Sequence, residues 1–529
     1  MLYPIKLQEH SKIRTIIYHL SPNYTTHKSR LVYSHKTIID LSSCIVKLRL
    51  TMFIKNLLQR LDSKYTFTLI FTLGCTLRII LSLINRESND YHLEVVNRIM
   101  AGLPVGRNDC WECFQPKFYH DMIVNIAEKL SIHSETALIL LAQTLSVLAG
   151  IGTIIIIWKF LKTYTKDTKI SYIALALIAL NPSFIGINVQ ATNDSFVIFF
   201  STLAFYMAWL YIRSFSLYHG ILLSIFVSLS VLSKASGWVV YFSLGTVLFI
   251  YLIIHKFHKQ KIKKELIILI IYNLIFIFSL FHISPYIQYI KLYGTPFIIN
   301  TDKPSPTLLF KKTELSGSVL DRPGILSAGS GYLTFYFTDL LQNPYNTLDK
   351  DNYPLHRTSF WSQLYGQFSS INFAHYLITW QMHDPLVLLI TRLLILFSFP
   401  LVLIISLGYL SQVYNLVKSI IQKFSDLDNF KTNFLSAFFF TSFLSANIYY
   451  SYLYRDFSVI KIIFLFPALI CFAQFFITGV EIIRKKYDKF KNLTLWLTIY
   501  SLILCSLYII DVSLVINHLK MNIFDLLKL

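Results

Sequence analysis

Apolar runs interrupted by short polar breaks fill most of the chain. Each run is close to the roughly 17 to 25 residues that an α-helix needs to cross about 30 Å of hydrocarbon. The pattern predicts spans near 66–84, 136–158, 170–187, 195–212, 217–233, 237–254, 265–284, 385–410, 434–453, 459–480 and 493–515. The pair 217–233 and 237–254 admits a different division. Two interruptions are long, about 85–135 and about 285–384. The expected architecture is therefore an all-α integral membrane protein of about 11 transmembrane helices, with two long loops carrying short amphipathic helices.

Composition narrows the class. With 54% hydrophobic, 16% aromatic and only 14% charged residues among 529, a soluble fold is excluded. A net charge of +20 would point to nucleic acid in a soluble protein. Here the basic residues collect in short loops: Lys159, Lys162, Lys166 and Lys169; Lys256, Lys259, Lys261, Lys263 and Lys264; Lys418, Lys423 and Lys431; and Arg484, Lys485, Lys486, Lys489 and Lys491. All four groups fall on one side of the predicted spans, which makes that side cytoplasmic, together with the amino terminus. The two long loops then face outward, and no nucleic-acid partner is expected. Residues 1–65 form a basic cytoplasmic tail and juxtamembrane segment, and 66–529 the polytopic domain. The first fifty residues lack the pattern of a signal peptide; they read either as a cytoplasmic tail or as sequence ahead of a true start at Met52, whose M-F-I-K-N-L-L-Q-R-L is amphipathic and basic.

The candidate chemistry gathers in the first long loop, N-D-Y-H-L-E-V-V-N-R-I-M-A-G-L-P-V-G-R-N-D-C-W-E-C-F-Q-P-K-F-Y, residues 89–119. Tyr91, Val95 and Ile99 recur at helical spacing, with Asp90, Glu94 and Asn97 on another face, so a short surface helix is expected over 90–100. Ala101-Gly102-Leu103-Pro104 ends it. Glu94, Asp109 and Glu128 read as a solvated face. Asp90 comes a few residues after the first span, where partial desolvation would raise its pKa and suit it to general-base work. Cys110 and Cys113 read as a local disulfide or as thiols; a zinc site would need two more ligands, for which His92 and His120 are the candidates. Cys44, Cys75, Cys471 and Cys505 are scattered, three of them within predicted spans where a packing role is expected.

These residues carry a resemblance. An acid just after the first span, then G-L-P, then C-W-E-C-F-Q-P-K-F-Y, resembles the first outer loop of the integral-membrane glycosyltransferases of the C-type fold, closest to the branch of protein O-mannosyltransferases and the lipid A aminoarabinose transferase. The resemblance puts Asp90 at the family's catalytic acid and matches Gln115, Pro116 and Tyr119 to its Q-P-P-x-Y element, with Lys117 in place of the second proline; His120 joins them as a candidate substrate contact. Further along, L-N-P-S-F is followed by T-N-D-S-F, where Asp194 resembles the family's second acid, although Asn193 and Asp194 also read as a helix cap. L-S-K-A-S-G resembles its T-K-x-S-G element and places Lys234 at a membrane boundary, where it implies a phosphate partner or a lysine snorkelling to the interface. The segment 359–368 resembles a loop that roofs the family's cavity. Arg455 and Lys461, in Y-L-Y-R-D-F-S-V-I-K, match the last element loosely.

The resemblance implies a transferase that takes a sugar from a polyprenyl-phosphate carrier and passes it, with inversion, to a hydroxyl of a lipid, glycan or protein. Asp90 would be the base, with Lys234, Arg455 and Lys461 on the phosphate. Some relatives use a divalent metal; no motif here compels one. The expected site is the outer face of a bacterial inner membrane, with the endoplasmic reticulum as the alternative. Other readings are an O-antigen polymerase or ligase, with a pyrophosphate-linked donor, and a polytopic transporter, which would show inverted repeats of broken helices.

Overall fold

The computed structural model describes residues 64–88, 91–106, 109–257, 263–283, 286–294, 330–342, 344, 359–370, 378–422, 424, 427–454, 461–486 and 493–527. Among these residues every regular element is helical, as expected where lipid leaves backbone groups no other partner. The tail expected over 1–65 falls outside them apart from its last two residues, and Asp90 and Arg455 also lie outside.

In chain order the helices are α1 (Lys64–Ile84), α2 (His92–Met100), α3 (Phe118–Lys129), α4 (Glu135–Tyr164), α5 (Thr168–Ala179), α6 (Pro182–Asn188), α7 (Asp194–Ser214), α8 (Leu217–Ser233), α9 (Gly237–Phe257), α10 (Lys263–Ile283), α11 (Tyr286–Tyr293), α12 (Phe337–Gln342), α13 (Phe360–Ser369), α14 (Ile378–His383), α15 (Pro385–Ile421), α16 (Leu427–Tyr454), α17 (Leu469–Lys486) and α18 (Leu493–Leu527). Three-residue 3₁₀ turns occur at Ser330–Tyr332, Ile462–Phe464 and Phe466–Ala468. The chain is a multi-pass membrane protein: among the described residues 8 helices are long and apolar enough to cross a membrane, or up to 9 if one bent pair counts as a span.

Among the described residues the count of eleven spans is not confirmed, for local reasons. The run 170–187 is broken: α5 and α6 bend by 54°, because Pro182 cannot continue α5 and instead starts α6, capped by Asn181 Oδ1 accepting from Phe184 N at 3.0 Å. α8 has 17 residues and is the shorter apolar helix. α16 carries the run 434–453, but Lys431, Asn433, Ser436 and Asn447 lower its apolar character, and all four are buried. The run 459–480 does supply a span, Phe466–Lys486, although its described part opens as 3₁₀ turns rather than helix, with Pro467 in the second, and becomes α17 at Leu469.

Two features position the site. The first is Arg78 of α1, fully buried. Its Nε donates to Asn188 Oδ1 at 2.9 Å, and its Nη1 to the carbonyls of Gly74 (2.9 Å) and Ala179 (2.8 Å); the guanidinium also lies 4.8 Å from the Phe184 ring centroid. One cation thus ties α1 to the ends of α5 and α6. Gly150 of α4 makes room for this, since a Cβ there would lie 2.3 Å from Asn188 Oδ1. Asn188 Nδ2 then donates to Ser195 Oγ at 3.2 Å, fixing the start of α7. The second feature is a satellite core in which Leu93 and Val96 of α2 and Tyr119, Ile123 and Ala127 of α3 pack on Leu138, Ile139 and Ala142 of α4. The first loop is thereby a packed element. Its helix ends as expected, with Gly102 at φ 63°, where a side chain would be strained, and Leu103 N bonding the Arg98 carbonyl at 2.9 Å.

Candidate functional site

The T-N-D-S stretch turns from α6 into α7. Asp194 is the first helical residue rather than the cap, and Asn193, at the cap position, makes no capping bond. Asn193 Nδ2 reaches instead to the Ser233 carbonyl at the end of α8, 3.0 Å away. The Asp194 carboxylate is therefore turned toward Lys234: Nζ donates to Oδ1 at 2.7 Å. The second oxygen, Oδ2, accepts from the Thr192 hydroxyl at 3.1 Å. With side chains 5% and 13% exposed, this is a buried ion pair. Lys234 owes its position to the tight turn that joins α8 to α9. Gly237 N donates to the Lys234 carbonyl at 2.9 Å, and a Cβ at Gly237 would meet the Ser230 carbonyl oxygen at 2.3 Å. Lys234 Nζ also lies 6.0 Å from the ring centroid of Phe464, in the 3₁₀ turn before α17.

The first loop joins this pair through α4. The Tyr119 hydroxyl is 3.2 Å from the Ala142 carbonyl and 3.4 Å from Ser146 Oγ, and Ser146 Oγ donates to the Thr192 carbonyl at 3.2 Å. Both chain segments flanking Asp90 are held. On one side the Ser88 carbonyl accepts from Ala191 N at 3.2 Å and the Glu87 carbonyl from Gln143 Nε2 at 2.9 Å; on the other, His92 Nδ1 lies 2.9 Å from His120 Nε2. Ser88 thus stands two residues before Asp90 and beside the residue three before Asp194.

Cys110 and Cys113 form a disulfide with Cα atoms 5.0 Å apart, and the Phe114 carbonyl accepts from Tyr289 of α11 at 3.1 Å. Gln115 is buried, and its Oε1 meets no partner among the described residues. Lys461 is exposed, with no ion pair among the described residues. Among the described residues no three His, Cys, Asp or Glu side chains gather as a metal site. Gln143 and Ser146 were not anticipated, a polar residue inside an apolar run being their only signal, and Thr192 opens the T-N-D-S-F motif without having been given a role.

His120 is fully buried, and burial first, then the neighbouring His92, push its pKa well below the ordinary value near 6.5. It is neutral in the folded protein while the unfolded chain binds a proton. Its contribution to stability is full above about pH 6.5 and is lost as the pH falls from there toward the folded value. The melting temperature of the detergent-solubilised protein is expected to fall between pH 7 and pH 5.5, and His120→Gln to flatten that limb; an unchanged slope in the variant contradicts the assignment.

Residues 118–284 match the family described as dolichyl-phosphate-mannose-protein mannosyltransferase. The chain carries a glycosyltransferase segment. It contains Tyr119, His120, Asp194 and Lys234, while Asp90, Gln115, Arg455 and Lys461 fall outside the match. No curated protein matches the chain. Among solved structures, the chain is similar to the apo oligosaccharyltransferase of Archaeoglobus fulgidus, at 13% identity and a TM-score of 0.46, over 86% of this chain and 56% of that one. The oligosaccharyltransferase AglB of the same organism, in complex with an inhibitory peptide and a dolichol-phosphate, is similar at 14% identity and a TM-score of 0.45, with the same coverage. The chain spans little more than half the length of these proteins.

Proposed function

We propose that the protein moves a sugar from a polyprenyl-phosphate carrier to an acceptor hydroxyl, by inverting displacement, at the outer face of its membrane. The observation that carries this reading is the buried Asp194–Lys234 pair inside the glycosyltransferase segment, connected through Thr192, Ser146 and Tyr119 to the loop that holds Asp90. Asp90 takes the proton of the acceptor hydroxyl as its oxygen attacks the anomeric carbon. The bond from that carbon to the phosphate oxygen breaks, and its electron pair stays on the phosphate. Lys234, aimed by Asp194, and Arg455 and Lys461 offset the charge that collects there. Gln115, Tyr119 and His120 shape the loop side of the cavity that receives the substrates.

The acceptor is a hydroxyl of a protein, glycan or lipid, and the reaction as written has no metal step. The domain that performs it is 66–529, with 1–65 as a cytoplasmic tail. A disulfide at Cys110–Cys113 suits a loop in an oxidising compartment, in keeping with an outward site in a bacterial inner membrane. The bent pair α5–α6 is a feature that a transporter would share, but there it would recur in a matching half of the chain, and one bent pair occurs among the described residues.

Asp90→Asn in membranes supplied with a polyprenyl-phosphate-linked sugar is expected to lose roughly 10²- to 10⁴-fold in transfer rate, the usual contribution of a general base. Transfer that continues at the parent rate would remove Asp90 from the mechanism.

A further inference from the structure

Two amides away from the Asp194–Lys234 pair are buried and unbonded. Gln363 of α13 is 1% exposed and Asn447 of α16 is 3% exposed. Neither the oxygen nor the nitrogen of either amide meets a hydrogen-bond partner among the described residues. Buried polar atoms are nearly always bonded, so four unmet atoms on two side chains call for a cause.

Both amides stand on helix stripes that meet the 3₁₀ turn Ile462–Phe464. Gln363 is four residues before Gln367 and so shares its face; Gln367 Oε1 accepts from Ile462 N at 3.2 Å. Asn447 is three residues before Tyr450, whose ring centroid is 5.4 Å from that of Phe464. It is also four residues before Ser451, whose hydroxyl meets that of Tyr332 at 2.8 Å. Tyr332 in turn packs on Phe360, the first residue of α13, with ring centroids 5.7 Å apart. The same turn meets the ion pair through Phe464 and Lys234.

The chemistry of the missing partner follows from the amide itself. A carboxamide presents both a donor and an acceptor. A phosphate at neutral pH chiefly accepts, and an isoprenoid does neither, whereas a hydroxyl both donates and accepts. The geometry points to Gln363 and Asn447 as the residues that bond the hydroxyls of the transferred sugar, beside the turn whose Phe464 lies under Lys234. This rests on the transferase reading above and adds to it which side chains recognise the sugar.

Gln363→Met and Asn447→Leu in the full-length, detergent-purified protein test the assignment through two readouts. The first is the melting temperature without donor; the second is KM, kcat and donor-induced thermal shift with polyprenyl phosphates carrying mannose, glucose or aminoarabinose. An amide that waits for a ligand can be replaced by an apolar side chain of similar size without loss of stability, so each variant is expected to melt at or above the parent temperature. KM should rise by about tenfold per variant, the scale of lost hydrogen bonds, with kcat changed far less, and the donor-induced shift should shrink. Variants that melt well below the parent would make both amides internal supports and overturn the inference whatever the activity. A working parent with unmoved KM and unmoved donor shift in both variants overturns it alone. A parent that neither transfers from these donors nor is stabilised by them removes the transferase reading, and this inference with it.

Discussion

Lys234→Met is expected to abolish sugar transfer and to cost roughly 3–5 kcal/mol of stability, the penalty for leaving a buried charge without its partner. The Asp194 side chain is 5% exposed, and the remaining polar contact to its carboxylate is the Thr192 hydroxyl on Oδ2. Losing the ammonium strands a carboxylate next to the Tyr119–Ser146–Thr192 connection. The double variant Lys234→Met with Asp194→Leu removes both charges at once and should recover most of the stability, because a buried ion pair and its apolar replacement are often close in free energy. Transfer should stay absent. Equilibrium unfolding in detergent and donor turnover in membranes separate the two effects. If Lys234→Met retains transfer within a few-fold of the parent, Lys234 does not hold the leaving phosphate.

The second large effect is structural. α15 and α17 cross with their backbones in contact: a Cβ on Gly408 would lie 1.8 Å from the Phe475 carbonyl oxygen, and one on Gly479 would lie 2.1 Å from the Ile404 carbonyl oxygen. A main-chain atom cannot swing aside as a side chain can. Gly408→Ala must therefore separate two long helices, and its cost should reach or exceed the top of the roughly 1–3 kcal/mol range for overpacking. Gly245→Ala is the control, since its nearest neighbour is the Tyr272 ring at 3.3 Å. Thermal melting and gel filtration should show Gly408→Ala aggregated or strongly destabilised and Gly245→Ala close to the parent. Equal behaviour of the two would mean that the crossing is looser than described.

Much of the architecture could be read from hydrophobic pattern because lipid imposes length and apolarity on every span. The short helix at 92–100 was legible from its spacing and its Gly-Pro stop. What the pattern hid were places where one residue overrides a run. Pro182 turns a single apolar stretch into two helices, and the sequence motif L-N-P-S-F held that information without saying how far the chain would bend. The 3₁₀ turns before α17 were equally invisible, since the stretch is apolar whether or not it is helical. At the site, Lys234 implied a phosphate partner or a snorkelling lysine, and the partner the structure shows is a carboxylate, Asp194, forty residues earlier; only the fold brings them together. Gln363 lies in the stretch 359–368 that the resemblance already set over the cavity, but that its amide and that of Asn447 lack partners could not be read from the sequence, because no pattern tells which buried polar group lacks a mate.

Arg78 also sets a condition on how the chain is made. Besides the Gly74 carbonyl one turn away, its acceptors are synthesised 101 and 110 residues later, and hydrocarbon provides no substitute. Until α5 and α6 emerge, α1 carries a guanidinium that lipid will not solvate, so the first helix must wait at the insertion machinery rather than partition away. Biogenesis is then a concerted step for three helices, and truncated nascent chains ending before Ala179 should remain bound to the translocon.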